Sequence, residues 1–211
     1  MIEVPSRRRV SWRFPVAIVS LTMVWLTMLL WGRGALDRQV YESLYAGQLP
    51  TLAVMGHVFT ALGEPTVLIA ASAVTAIWLW FKGHRHLPFV FVAITMFGRG
   101  ASELQKYWIG RDRPDLEAHL VVVKTSSFPS GHANSAMIFY LTIALILTQG
   151  TRWRATAVAL ALVTAFLVGT SRVVLGVHWP SDVVGGWAFG MLWVLLTLRM
   201  AQRFVENDAR R

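Results

Sequence analysis

The stretch FPSGHANS, Phe128 to Ser135, decides how this chain is read. Directly after it the sequence turns apolar for more than a dozen residues, so a proline, a serine, a glycine and a histidine stand at the mouth of a buried helix. Three readings compete: a plain helix cap, a phosphate cradle, or half of an active site. Ser130 is a suitable N-cap, with Gly131 and His132 entering the helix. The free amides of a first helical turn and the positive end of its dipole suit an anion. Gly131 lets a ligand approach the backbone closely. A cap explains the serine but not the histidine beside it.

Composition narrows the setting. The chain has 211 residues, is 55% hydrophobic and only 15% charged, and carries ten Trp. Soluble domains carry about a quarter charged residues, so a membrane protein is favoured. There is no cysteine, which removes disulfides and thiolate metal sites. Charge-poor apolar runs lie at Phe14–Trp31, Thr66–Phe81, Leu87–Gln105, Ala133–Gln149, Trp153–Gly169 and Val183–Met200. Each approaches the length of about 20 residues needed to cross a hydrocarbon core. The second run is expected to begin earlier, near Leu52, with a break at Gly63 and Pro65. An all-α polytopic membrane bundle of about six transmembrane helices follows, as a single domain over 1–211. The mixed segment 33–50 is expected on the membrane surface or as short helices. SRRRVSWRF, Ser6 to Phe14, superficially matches a twin-arginine signal, but no small-residue cleavage site follows. It reads as a retained first span, with residues 1–13 as a basic cytoplasmic anchor.

Threading six spans through a membrane separates the charges. The side holding both termini and the 82–86 and 150–154 turns has twelve Lys and Arg against Glu3, Glu206 and Asp208, the whole net charge of +9. The other side has eight cations and eight carboxylates. The positive-inside rule makes the first side cytoplasmic. A nucleic-acid binder has no reason to divide its charge with the period of membrane crossings, so no nucleic-acid partner is expected. FPSGH then faces outward, as do KYWIGRDRPD (Lys106 to Asp115) and SRVVLGVHWPSD (Ser171 to Asp182).

Ionisable groups at a membrane boundary point to function or to mutual pairing. Lys106, Arg113 and Arg172 converging from two segments would suit an anion with several oxygens, since the guanidinium fork matches phosphate. Alone, each would read as a headgroup anchor. His178 and Asp182 flank Pro180, where the sixth helix is expected to start. A carboxylate on one ring nitrogen fixes the tautomer and leaves the other nitrogen as nucleophile or base. The alternative is a polar cap pair.

In this order the motifs are recognisable. Lys106, Arg113 and Pro114 match K-x(6)-R-P, Pro129 to His132 match P-S-G-H, and Ser171, Arg172, His178 and Asp182 match S-R-x(5)-H-x(3)-D. The chain resembles the type 2 phosphatidic acid phosphatase (PAP2) superfamily over about 99–190, with no motif position departing. The resemblance implies a bacterial inner-membrane lipid phosphatase, multi-pass, with both termini cytoplasmic and the site periplasmic or extracellular. It implies His178 as the nucleophile forming a phosphohistidine, Asp182 orienting it, and His132 protonating the leaving group and then activating water. Lys106, Arg113 and Arg172 would hold the phosphoryl oxygens, with Ser130 and the Gly131 amide completing the cradle. No cofactor, metal or obligatory protein partner is implied, only the bilayer and a lipid phosphate. Undecaprenyl diphosphate, phosphatidylglycerophosphate, phosphatidic acid and lipid A phosphates all remain candidates. A lipid phosphotransferase using the same residues, or a non-enzymatic lipid-phosphate transporter, are the alternatives.

Other polar residues are assigned structural roles. Arg99 and Glu103, one turn apart, are expected to form an ion pair. Arg111 is considered for a distal phosphate or headgroup. Asp112, Asp115 and Glu117 read as partners of nearby arginines. His57 and Glu64, near the break in the second span, could contact substrate but are expected in core or cap roles, and His84, His86 and His119 in loops.

Overall fold

Prolines and glycines cut the apolar sequence into rods, because proline fits the first turn of a helix and breaks the interior of one. In the computed structural model, which describes residues 12–209, eight helices result. They are α1 (Arg13–Trp31), α2 (Ala35–Leu44), α3 (Pro50–Ala61), α4 (Pro65–Phe81), α5 (Leu87–Ile109), α6 (Gly131–Leu147), α7 (Arg154–Val174) and α8 (Pro180–Ala209). No strand occurs among the described residues. Proline opens α3, α8 and α4, and sits in the first turn of α5. Arg7, Arg8, Arg9, Arg210 and Arg211, on which part of the charge argument rests, lie outside the described residues.

Five stretches are long and apolar enough to cross a membrane: α1, α3 with α4, α5, α7 and α8 through Gln202. The sixth, α6, has 17 residues and spans about 25 Å at 1.5 Å per residue. It can be short because it sits at the centre, packed by α5, α7 and α8, with eleven of its residues buried. By contrast α1 lies at the edge against α8 and buries none. The expected break in the second span falls at residues 62–64, between α3 and α4.

Two expected boundaries move. Lys106 and Arg172 were read as loop residues, but α5 runs to Ile109 and α7 to Val174, so both cations sit in last helical turns. A helix need not end at its first charge when that charge enters a polar cavity instead of lipid. Segment 33–50 forms a short helix, α2, one of its two expected forms, and buries Asp37 and Tyr41 against the bundle.

The core joins Ile94, Met137, Ile138, Leu141, Val168 and Val194 from α5 to α8. Indole donors pin α8 to its neighbours: Trp187 Nε1 donates to Ala165 O at 2.9 Å and Trp193 Nε1 to Ile94 O at 2.9 Å. Where α8 crosses α6 the backbones nearly touch. A Cβ on Gly186 would stand 2.8 Å from the Ser130 carbonyl, so any side chain there would push the two helices apart. Exposed aromatics rim both ends, Trp31, Tyr107 and Trp108 at one and Trp12, Trp80 and Trp153 at the other.

Candidate active site

Four helix ends meet at one end of the bundle. Gly110, in the left-handed region at φ 60°, stops α5 and turns the chain into Arg111–Pro114. After the loop, α6 starts behind the cis Phe128–Pro129 bond. The α7–α8 turn carries His178, and Asp182 lies in the first turn of α8. Between these ends lies a cavity of about 320 Å³, lined by Arg99, Glu103, Lys106, Arg113, Gly131, His132, Arg172 and His178, with Thr60, Glu64 and Pro65 from the α3–α4 corner.

His178 is buried with its two ring nitrogens in different environments. Arg113 Nη1 lies 3.2 Å from Nε2. A guanidinium can only donate, so Nε2 is the unprotonated nitrogen and Nδ1 carries the hydrogen. Nδ1 faces Ser127 Oγ at 3.3 Å, and that hydroxyl donates in turn to Asp182 Oδ2. The direct distance from Nδ1 to Asp182 Oδ2 is 3.5 Å, so the expected His–Asp contact is shared through Ser127. Burial pushes His178 well below the ordinary imidazole value, and repulsion from Arg113, Lys106 and Arg172 adds to it. The ring is therefore neutral, with a lone pair at the cavity.

Asp182 is fully buried and fully engaged. Oδ2 also accepts the Trp179 N–H at 3.0 Å, and Oδ1 pairs with Arg111 Nη1 at 2.8 Å. Arg111 is buried too. Its second nitrogen donates to Met28 O at 2.9 Å and Leu29 O at 2.7 Å in the last turn of α1, and its plane lies 4.2 Å over the Phe128 ring. Arg111 was considered for a substrate headgroup. It faces away from the cavity because Asp182 and the α1 carbonyls need it more, and sequence order alone did not reveal that demand.

The three expected cations do converge. Lys106 Nζ donates to Thr125 Oγ1 at 3.2 Å. Arg113 is braced by Thr125 O at 2.8 Å and Val177 O at 2.6 Å, and burial lowers it from its ordinary value while leaving it charged. Arg172 Nη1 donates to Thr60 Oγ1 at 2.5 Å, whereas its Nε–H is buried with no partner. An orphaned donor at an anion site is the kind of group a phosphoryl oxygen satisfies.

His132 lines the cavity opposite His178, and its Nε2 is 3.1 Å from Glu64 Oε2. Of the two roles open to Glu64, the α3–α4 corner favours the one at the site over the core or cap role, since Glu64 lines the cavity. His57 is exposed on α3. Gly131 lines the cavity, with its Cβ position 3.3 Å from Lys106 Nζ. Ser130 precedes α6, but its hydroxyl makes no cap bond and is buried without a partner, and Ser130 does not line the cavity. Its backbone is what the fold uses: the N–H bonds Asp182 O at 2.9 Å. Arg99 and Glu103 form no ion pair; both line the cavity. Asp112 does meet an arginine, with Arg33 at 3.8 Å.

Comparison with known proteins agrees with the geometry. The model of the PAP2 superfamily matches residues 87–206. Phosphatidylglycerophosphatase B of Bacillus subtilis is 35% identical over 139 residues, covering 63% of this chain and 67% of that protein. The undecaprenyl-diphosphatase of Sulfolobus acidocaldarius is 31% identical over 157 residues, 72% of each chain. A lipid A 1-phosphatase of Rhizobium etli is 33% identical over 174 residues, 68% of each. Among solved structures, the transmembrane PAP2 type phosphatidylglycerolphosphate phosphatase of Bacillus subtilis superposes with a TM-score of 0.81 at 28% identity, over 89% of this chain and 96% of that one.

Proposed function

The chain belongs to the PAP2 superfamily and is a multi-pass membrane phosphatase of lipid phosphates, and from that premise we propose a two-step hydrolysis through a phosphohistidine on His178. The observation that carries it is the His178 ring: Nε2 unprotonated toward the cavity, Nδ1–H backed by Ser127 and Asp182.

In the first step the Nε2 lone pair attacks phosphorus and the P–O bond to the lipid breaks. His132 gives its proton to the departing oxygen, and the electron pair leaves with that oxygen. The positive charge gained by the His178 ring is stabilised through Ser127 and Asp182. Lys106, Arg113 and Arg172, with the Gly131 edge of the α6 N-terminus, hold the three non-bridging oxygens as charge redistributes. In the second step neutral His132 takes a proton from water, the hydroxide attacks phosphorus, and the P–N bond breaks to release inorganic phosphate. Glu64 holds the His132 ring in place, Oε2 lying 3.1 Å from Nε2. Side-chain cations meet the phosphoryl charge, so no metal is assigned a role.

Residues 1–211 act as one membrane domain in this reading, with the site on the outer face of the cell membrane. The described cations Arg13, Lys82, Arg85, Arg152, Arg154 and Arg199 lie at the other end of the helices, which supports that orientation. The test is a rapid quench with lipid labelled in the terminal phosphate. An acid-labile label on a His178 peptide, absent in His178→Ala, is expected; label on His132 or direct transfer to water would overturn the assignment.

A further inference from the structure

Arg99 is not used by the chemistry above. It sits near the middle of α5, seven residues before Lys106 and so about 10 Å further from the site end of the helix. An arginine at such depth is costly unless paired, and in this structure it has no hydrogen-bond or ion-pair partner among the described residues. Glu103, one turn nearer the end, does not reach it; Glu103 Oε1 and Lys106 Nζ instead both approach Gly131, at 3.6 and 3.3 Å from its Cβ position. Arg99 lines the same cavity as the catalytic groups.

The order along the cavity wall has chemical meaning. Nearest the end stand His178 and the three cations for the transferred phosphoryl group. His132, in the first turn of α6, lines the same cavity and in this reading meets the leaving oxygen. Arg99 lies deeper along α5 than Lys106, on the side of the hydrocarbon core from which an apolar tail must approach, and lines the same cavity as His132. The charges acting most strongly on His178 are Arg113, Lys106 and Arg172. Three cations already serve the three non-bridging oxygens, so Arg99 is surplus to a simple monoester. The cavity's charged side chains are five cations, Arg99, Lys106, Arg113, Arg172 and the exposed Lys124, against Glu64 and Glu103, a surplus of three positive charges. That balance suits a headgroup of about three negative charges better than a phosphomonoester dianion.

We propose that Arg99 binds a second anionic phosphate lying between the scissile phosphate and the lipid tail, so that the enzyme selects lipids with doubly phosphorylated headgroups. Two arrangements share this chemistry: a lipid diphosphate, and a phosphodiester separated from the terminal phosphate by a short polyol. This rests on the phosphatase reading and adds substrate choice to it.

The experiment uses full-length enzyme in detergent micelles and two tail-matched pairs. One is an isoprenyl diphosphate against the isoprenyl monophosphate; the other is phosphatidylglycerophosphate against phosphatidic acid. Both members of the second pair lose an alkoxide, so leaving-group strength does not blur that comparison. Wild type should prefer the doubly phosphorylated member in at least one pair, which identifies the arrangement. Arg99→Gln should lower kcat/KM for that member roughly 10- to 100-fold, the effect of one lost charge-assisted contact. It should change the monoester less than about threefold on the same scale of effects. Arg99→Lys should keep part of the preference. Equal losses on both members, or no loss on either, would overturn the proposal, as would a wild type that favours the singly phosphorylated member in both pairs. That last comparison needs no variant, so a misfolded Arg99→Gln would not shield the idea. Failure to release phosphate from any lipid would count against the phosphatase reading itself.

Discussion

Removing Arg111 should separate positioning from binding. The residue touches Asp182 at 2.8 Å with both side chains buried, and it does not line the cavity. Arg111→Met leaves the fully buried Asp182 carboxylate without its ionic partner. Breaking a buried pair from one side costs roughly 3–5 kcal/mol. Part of that should appear as lost stability and part as lost control over Asp182, and through Ser127 over the His178 tautomer. We expect kcat to fall on the order of 10²- to 10³-fold, the range of a misplaced acid–base group, with KM for the lipid within about threefold of wild type. Arg111→Lys should recover only a fraction, because an ammonium cannot bond Asp182 and two α1 carbonyls at once or stack on Phe128. The double variant Arg111→Met with Asp182→Asn removes both charges and should regain stability relative to Arg111→Met while staying inactive. Steady-state kinetics and heated gel filtration in detergent measure all four proteins. A raised KM at unchanged kcat would mean that Arg111 binds substrate, and wild-type stability in Arg111→Met would mean that the ion pair does not matter; either would refute the reasoning.

Three further outcomes are expected. His132→Ala should lose far more rate on a lipid alkoxide than on a nitrophenyl phosphate, whose leaving group departs without a proton, whereas His178→Ala should lose both; equal losses for His132→Ala would reduce it to a shaping role. In histidine-labelled protein, NMR should find His178 as the Nδ1–H tautomer with no protonation step near 6.5, its ordinary value, because burial and three cations disfavour the charged ring and keep the nucleophile available as pH falls through that point; a titration there would contradict the burial argument. A reporter fused after Arg211 should behave as cytoplasmic, and phosphatase-type reporter activity at that end would reverse the orientation.

What the sequence made legible was local. Lys106, Arg113, His132, Arg172, His178 and Asp182 sit in short motifs whose spacing follows helix ends, and the helix ends follow proline and glycine. The break in the second span was visible for the same reason. Partners chosen by folding were not visible. Glu64 reaches His132 across 68 residues, and Asp37 reaches Ser181 across 144, donating nothing to any periodic pattern. Ser127 was hidden by its rank in a serine pair before FPSGH, although a hydroxyl adjoining that motif was a fair signal. Arg99 and Glu103 show the limit of the one-turn rule: spacing permits an ion pair, but a polar cavity offers Glu103 other neighbours, and the pair does not form.

The family match begins at residue 87, yet the site is not complete without what precedes it. Asp37 of α2 accepts from Ser181, from its N–H at 2.8 Å and its hydroxyl at 2.5 Å, and so holds the first turn of α8 that carries Asp182. The α1 carbonyls hold Arg111, Thr60 of α3 holds Arg172, and Glu64 at the α3–α4 corner holds His132. Each of these contacts satisfies a polar group that is buried or lines the cavity, where water gives little compensation and a missing partner costs about 1–3 kcal/mol. Stripped of α1 to α4, the motif-bearing helices would keep His178, Asp182 and the other residues proposed for catalysis but lose the partners of four side chains, Ser181, Arg111, Arg172 and His132. The amino-terminal helices are therefore part of the scaffold of the proposed active site, and their anchoring in the membrane is a second consequence of the same apolar sequence.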